Sequence, residues 1–191
     1  MSRTIRSVLA VGAGAAAIAA SVTFAVAGEP AQRAEPVAAA APAAVQLQAQ
    51  HSGQCLTVPS GSLRNGVNAV QSACAEGAEN QQFDLKATGA GTLEVQFKHA
   101  GKCLDVEGAG IKTGTVVQQW WCVGQQQQRW RLIMVDIAKE LYELRPAHLI
   151  GKPGRCLEIK SSAKDDGAIA QLYACNGTSA QQWRIKPVSA A

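Results

Sequence analysis

Six cysteines fall into three pairs of identical spacing: Cys55 and Cys74, Cys103 and Cys122, Cys156 and Cys175, each 19 positions apart. Text around the first cysteine of each pair repeats as Gly53-Gln54-Cys55-Leu56-Thr57-Val58, Gly101-Lys102-Cys103-Leu104-Asp105-Val106 and Gly154-Arg155-Cys156-Leu157-Glu158-Ile159. Each unit closes on a related tripeptide: Gln81-Gln82-Phe83, Gln128-Arg129-Trp130 and Gln181-Gln182-Trp183. A period of about 50 residues in three copies means one supersecondary unit used three times, none able to bury its apolar face alone. Six cysteines allow 15 pairings in general, but a repeated unit repeats its own bridge, which selects 55 with 74, 103 with 122 and 156 with 175. Each bridge closes a loop worth about 3 kcal/mol in the chain-entropy account. Zinc is the rival use of such residues, and it is disfavoured by the absence of any C-x-x-C pair and by an exported setting. No metal and no cofactor is therefore expected.

Composition explains why such staples are needed. Of 191 residues 47% are hydrophobic but only 5% aromatic, and much of the apolar content is alanine near the start, leaving a modest core. Charged residues make up 17% of the chain, below the roughly 25% of an ordinary soluble domain, and the net charge is +4. That balance excludes an extended phosphate-binding face, and nucleic acid is not an expected partner.

The start reads as an address. Arg3 and Arg6 precede an uncharged run from Ser7 to Val26, and Ala25-Val26-Ala27 has the small residues an export peptidase needs. Residues 1–27 are thus expected to be a cleaved signal peptide and the protein to be secreted; the rival is a retained membrane anchor, against which the cleavage pattern speaks. Cleavage would remove two arginines and no acid, taking +4 to +2. Residues 28–45, rich in Ala and broken by Pro30, Pro36 and Pro42, read as a semi-extended linker or a trimmed tail. The folded part is expected over residues 46–188, with repeats at about 46–90, 91–135 and 136–188.

Within it the local patterns are short and strand-like, such as Cys103-Leu104-Asp105-Val106 and Val116-Val117-Gln118-Gln119-Trp120, separated by turns at Gly108-Ala109-Gly110, Gly114 and Asp166-Gly167. Asp136 to Leu144 allows a helical turn or two before Arg145-Pro146 ends it. The expected class is all-β.

Three units of Gly-x-Cys-Leu-x-Val, a second cysteine 19 on and a closing Gln-x-Trp resemble the ricin-B-type lectin repeat over roughly residues 46–188, with one lapse where Phe83 stands for tryptophan. The resemblance implies a β-trefoil of three four-stranded repeats about a pseudo-threefold axis, each with one shallow sugar site. Family members bind galactose, xylan and related glycans, alone or appended to enzymes and toxins. It implies a carbohydrate partner here, and a companion enzyme is left open.

The residues themselves fit a sugar site, because a sugar asks for a fixed acceptor, amide donors and a flat ring. The second repeat offers Asp105 as acceptor, Gln118 as its support, Trp120 as the ring, and Gln127 and Gln128 as amides. For Gln128 a structural role and a sugar contact are equally supported, since its closing motif recurs in every repeat. Trp120 differs: its counterparts are Ser72 and Tyr173, and a core position does not readily become serine. Trp121 reads as partly buried or as a rim residue. The third repeat keeps the group types in Glu158, Gln171, Tyr173 and Gln181, but with a longer acid and Ala180 where members often have asparagine, so a weak or altered second site is expected. The first repeat has Thr57, Val70 and Ser72 at these positions and is expected to be sugar-silent.

Nothing points to catalysis. There is no G-x-S-x-G elbow, H-E-x-x-H helix or Gly-rich phosphate loop. Asp105 and Glu158 hold matching places in different repeats, which pseudo-symmetry keeps apart, so they do not form the opposed pair of a glycosidase. His51 and His99 each stand four before a repeat cysteine, and His148 lies in an insertion; all three read as structural. Asn176-Gly177-Thr178 is a glycosylation sequon in any host that modifies secreted asparagines. The expectation is a non-enzymatic carbohydrate-binding protein acting mainly through its second repeat, and the alternative is a trefoil scaffold for protein interaction or inhibition with degenerate sugar sites.

Overall fold

The computed structural model describes residues 44–151 and 154–188. The expected leader and nearly all of the expected linker lie outside the described residues, whose first strand begins at Val45. Every extended element is short, and the helical pieces are single three-residue turns of 3-10 type. The first repeat supplies β1 (Val45–Ala49), β2 (Cys55–Thr57), β3 (Val67–Asn68), β4 (Val70–Ser72) and β5 (Phe83–Gly89). The second supplies β6 (Thr92–Phe97), β7 (Cys103–Val106), β8 (Val117–Trp120) and β9 (Arg129–Asp136). The third supplies β10 (Leu141–Pro146), β11 (Arg155–Ile159), β12 (Ala170–Ala174) and β13 (Trp183–Pro187).

Six of these strands close on themselves. β1 pairs with β5, β5 with β6, β6 with β9, β9 with β10, β10 with β13, and β13 returns to β1, all antiparallel. A closed barrel leaves no edge strand to aggregate. The remaining hairpins, β2–β4, β7–β8 and β11–β12, are one per repeat. A six-stranded barrel with three such hairpins is a β-trefoil.

The alternation of the sequence follows from this geometry. In β1, Val45, Leu47 and Ala49 are buried while Gln46 and Gln48 are half-buried, as a period of two demands of a sheet with one wet face. The recurrent Cys-Leu-x-Val gives a threefold core layer: Leu56, Leu104 and Leu157, with Val58, Val106 and Ile159, are all fully buried. Trp130 and Trp183 lie beneath them, fully buried, each donating its indole N–H to the carbonyl of the cap leucine, Leu104 at 2.9 Å and Leu157 at 3.1 Å. Phe83 fills the same place in the first repeat without a polar hydrogen to give. The three disulfides join the expected partners, with Cα–Cα separations of 5.0, 5.0 and 5.1 Å.

Two sequence expectations need correction. Asp136 to Leu144 is not helical: it is the end of β9, the 137–140 turn and the first part of β10, and in the turn Asp136 Oδ1 accepts from the backbone N–H of Lys139 at 3.0 Å and Glu140 takes a left-handed conformation (φ 53°). Barrel closure overrides a locally helix-friendly Ala-Lys-Glu-Leu stretch. His148 is not a stray residue of an insertion but the threefold counterpart of the other two histidines. His51 Nε2 meets the Ala163 carbonyl at 2.8 Å, His99 Nε2 that of Ser62 at 3.1 Å, and His148 Nε2 that of Gly110 at 3.1 Å. Each histidine thus fastens a loop of another repeat, third to first, first to second and second to third, and the insertion falls between His148 and Cys156.

Candidate sugar-binding face

Each cap hairpin places the candidate residues in one register. In the second repeat Asp105 stands opposite Gln118 and Cys103 opposite Trp120; in the third, Glu158 faces Gln171 and Cys156 faces Tyr173; in the first, Thr57 faces Val70 and Cys55 faces Ser72. Residues two apart on a strand share a face, so acid, amide and ring come together on one side of the second- and third-repeat hairpins, while the leucine between points into the core in all three. The local sequence Cys-Leu-x therefore sets core and site at once.

In the second repeat Asp105 is only 4% exposed, and its Oδ1 accepts from Gln118 Nε2 at 3.0 Å. Burial pushes its pKa above the usual 3.8, while hydrogen bonds from the amides of Gln118 and Gln128 pull in the other direction. Trp120 is 40% exposed at the end of β8. The Asn65-Gly66 turn of the first repeat backs it: a Cβ on Gly66, which has φ +73°, would sit 3.6 Å from the Trp120 ring and 3.7 Å from Gln118 Oε1. Those are ordinary van der Waals distances, so it is the left-handed backbone of the turn, not lack of space, that calls for glycine. Gln127 is half-buried in the 3-10 turn Gln126–Gln128. Gln128 is fully buried, donating from Nε2 to the Trp121 carbonyl at 2.7 Å and accepting the Val123 N–H at 2.8 Å. Its amide thus pins the segment that follows the disulfide, and Gln81 and Gln181 do the same in their repeats. Trp121 is 60% exposed and belongs to the rim, its ring held by the Lys102 ammonium 3.3 Å from the ring centroid.

The third repeat differs at the acid. Glu158 accepts from Gln171 Nε2 at 3.2 Å on Oε1 and from Gln181 Nε2 at 2.7 Å on Oε2, so both oxygens are engaged by its own repeat. The extra methylene carries the carboxylate to the closing glutamine. Beside it opens a cavity of about 500 Å³ lined by Glu158, Gln171, Tyr173, Lys160 and Asn176, together with Thr113 and Gly114 from the second repeat. Tyr173 is 38% exposed. The sequon residue Asn176 stands in this lining, its Oδ1 accepting the Thr178 N–H at 3.0 Å.

The first repeat has a cavity of about 190 Å³ whose lining includes Thr57, Val70, Ser72 and Asn80, with no charged side chain and no ring. Asn80 donates to Thr57 Oγ1 at 2.9 Å and to the Val58 carbonyl at 3.0 Å. Sequence reasoning missed two things here. One is that each site borrows a turn from another repeat, Gly167 for the first, Gly66 beside the second and Gly114 for the third. The other is Asn80, whose signal was its place just before the closing glutamine. Two groupings of a glutamate with sulfurs, Glu94 with Cys103 and Cys122 and Glu143 with Cys156 and Cys175, consist of disulfide sulfurs and offer no thiolate to a metal.

Comparison with known proteins agrees with this architecture. No curated protein sequence matches the chain. ThreeFoil, a designed threefold-symmetric protein, is 35% identical with a TM-score of 0.69, the match covering 75% of this chain and 97% of that one. An exo-β-1,3-galactanase from Clostridium thermocellum is 26% identical with a TM-score of 0.71 over 78% of this chain; the match spans only 31% of the enzyme. The Macrolepiota procera ricin B-like lectin, solved in complex with lactose, shares the fold at 14% identity, with a TM-score of 0.61 and coverage of 77% and 96%. The family described as ricin-type beta-trefoil lectin domain-like matches residues 37–120, 79–149 and 126–191. With its three repeats each matched, the chain belongs to the ricin-type β-trefoil lectin-like family.

Proposed function

We propose that the protein is a secreted carbohydrate-binding protein that holds a galactose- or xylan-type glycan without altering it, mainly through Asp105, Gln118, Trp120 and Gln127 of the second repeat. The observation that carries this reading is a buried carboxylate beside an exposed indole on one hairpin face. The ring takes the apolar C–H face of a sugar, and the ionised acid accepts from adjacent hydroxyls with charge-assisted bonds. Gln118 holds the carboxylate in place, and Gln128 shapes the wall by pinning Trp121 and Val123. Glu158, Gln171, Tyr173 and Gln181 form a second, weaker site, because the acid there is already satisfied by two amides. The lactose complex of the Macrolepiota lectin makes galactosides the first ligands to try.

A shallow face with one acid and one ring suits millimolar to high-micromolar binding, about −4 to −6 kcal/mol. Two unequal sites on one rigid body favour a polymeric ligand over a free monosaccharide. No helix among the described residues is long and apolar enough to cross a membrane, and three disulfides suit an oxidising compartment. The test is a binding screen of the full chain against simple sugars and neutral polysaccharides, with Asp105→Ala and Trp120→Ala alongside. Binding lost in both folded variants supports the reading. A folded, oxidised wild type that binds nothing on the panel defeats it in favour of a protein-interaction scaffold.

A further inference from the structure

Among the described residues, those that follow His148 help to line an arginine-rich cleft. Between β9, β10 and the start of β11 lies a cleft of about 120 Å³ walled by Arg131, Arg145 and Arg155, with Leu149, Ile150 and Pro146 as its apolar part. Arg131 and Arg145 stand directly opposite each other in the β9–β10 register, a like-charge pairing that weakens a sheet. Glu143 offsets one of them, its Oε2 accepting from Arg145 Nη2 at 2.7 Å and Nε at 3.1 Å. Among the described residues Arg131 and Arg155 have no ion pair. Three guanidinium charges against one carboxylate leave a balance of 3 − 1 = 2 positives. The buried Nε–H of Arg155 has no acceptor among the described residues, a donor that folding leaves unmatched.

Threefold symmetry shows that the fold does not ask for this. The equivalent trio at the entry to the second repeat is Asp84, Gln96 and Lys102, with Asp84 opposite Gln96. At the entry to the first it is Arg184, Gln48 and Gln54, with Arg184 opposite Gln48. In both places the middle glutamine donates to a carbonyl of its own repeat, Gln48 to Gly53 at 2.6 Å and Gln96 to Gly101 at 2.8 Å. Only the third repeat replaces that glutamine with arginine, and only there are all three positions guanidiniums.

We propose that this cleft is an oxyanion-binding site for an acidic polysaccharide, taking the carboxylate of a uronic acid or the sulfate ester of a sulfated sugar. Guanidinium forks match the paired oxygens of either group, and an apolar wall suits the sugar ring that carries it. An anion there would relieve the Arg131–Arg145 repulsion. The cleft shares no residue with the acid-and-ring faces, so occupation of one does not block the other. The polysaccharide part rests on the carbohydrate reading above, while the anion part stands on the arginines alone.

The experiment measures binding of the full-length protein to polygalacturonic acid, dextran sulfate, a neutral galactan and inorganic sulfate. Four forms are compared: wild type, the pair Arg131→Gln/Arg155→Gln, the pair Arg131→Lys/Arg155→Lys, and Trp120→Ala. At least one acidic polymer is expected to bind wild type and to lose at least about tenfold in the glutamine pair, with neutral galactan unchanged. The lysine pair, which keeps charge but not the fork, is expected to lose most of that affinity too. Trp120→Ala is expected to lose the galactan and retain arginine-dependent binding of the acidic polymer. Preference for polygalacturonate identifies a carboxylate, and preference for dextran sulfate a sulfate ester. The proposal is overturned if the acidic polymers bind no better than galactan, if the glutamine pair keeps wild-type affinity, if the lysine pair matches wild type, or if inorganic sulfate alone binds as well as any polymer. Loss of galactan binding by wild type with arginine-dependent acid binding intact would sink the earlier reading and leave this one standing.

Discussion

On the proposed function Asp105 carries two opposed demands, since a sugar hydroxyl is best met by an ionised acid and burial resists ionisation. Its pKa is raised, with burial as the largest cause. Between the unfolded and the raised folded pKa the folded state holds more protons than the unfolded, so on this account stability falls as pH rises through that window. Ligand affinity runs the other way, because protonation removes the charge-assisted acceptor. Sugar binding is therefore expected to weaken as pH falls toward and through the raised pKa, at a higher pH than for an ordinary aspartate, and a titration of affinity against pH checks it. Asp105→Asn is expected to lose at least about tenfold in affinity with an unchanged or higher Tm at neutral pH. Asparagine keeps the shape without the buried charge. The tryptophan of the closing motif tests a different link. Trp130→Phe copies the first repeat's Phe83, leaves the Leu104 carbonyl without its 2.9 Å donor, and is expected to cost about 1–3 kcal/mol in denaturant unfolding.

At the scale of elements, the cap hairpins were legible in the sequence because core and site alternate within four residues: Leu104 and Val106 inward, Asp105 between them. The disulfide spacing was legible for the same reason, each bridge spanning one hairpin and its loop. Opening the third bridge with Cys156→Ala/Cys175→Ala is expected to cost about 3 kcal/mol and to loosen the Tyr173 hairpin, read by denaturant unfolding. The β9–β10 hairpin was not legible, because its turn residues favour a helix and only closure of the barrel decides otherwise. A repeated kink after each first cap strand was equally hidden. Ser60, Gly108 and Ser161 share a left-handed conformation, φ 54°, 56° and 57°, which glycine holds freely and serine holds at about 1–2 kcal/mol. Ser60→Gly is accordingly expected to leave stability unchanged or raise it by up to about 1 kcal/mol, in contrast to most loop substitutions to glycine, as a chemical melt can show.

For the molecule as a whole, the three repeats are held as a ring by contacts that no single repeat encodes. Each histidine reaches a carbonyl of another repeat, and each sugar face leans on a turn from the one before. The histidine contacts join residues 112, 37 and 38 positions apart, with no fixed spacing, which is why the candidate residues Asp105 and Trp120 could be named from the repeat while Gly66, Gly114 and Gly167 could not. The asymmetry is as informative as the symmetry. Identical scaffolding carries an acid and an indole in one repeat, an acid and a phenol in the next, and neither in the first, so the exposed face differs among the repeats where the buried leucine layer does not. The most direct measurement is a calorimetric titration of wild type, Trp120→Ala and Tyr173→Ala with a glycan that binds wild type, each variant checked for its fold by near-ultraviolet circular dichroism. Trp120→Ala is expected to lose nearly all affinity and Tyr173→Ala only a minor part; full binding by Trp120→Ala, or its loss in Tyr173→Ala alone, would contradict a second-repeat sugar site.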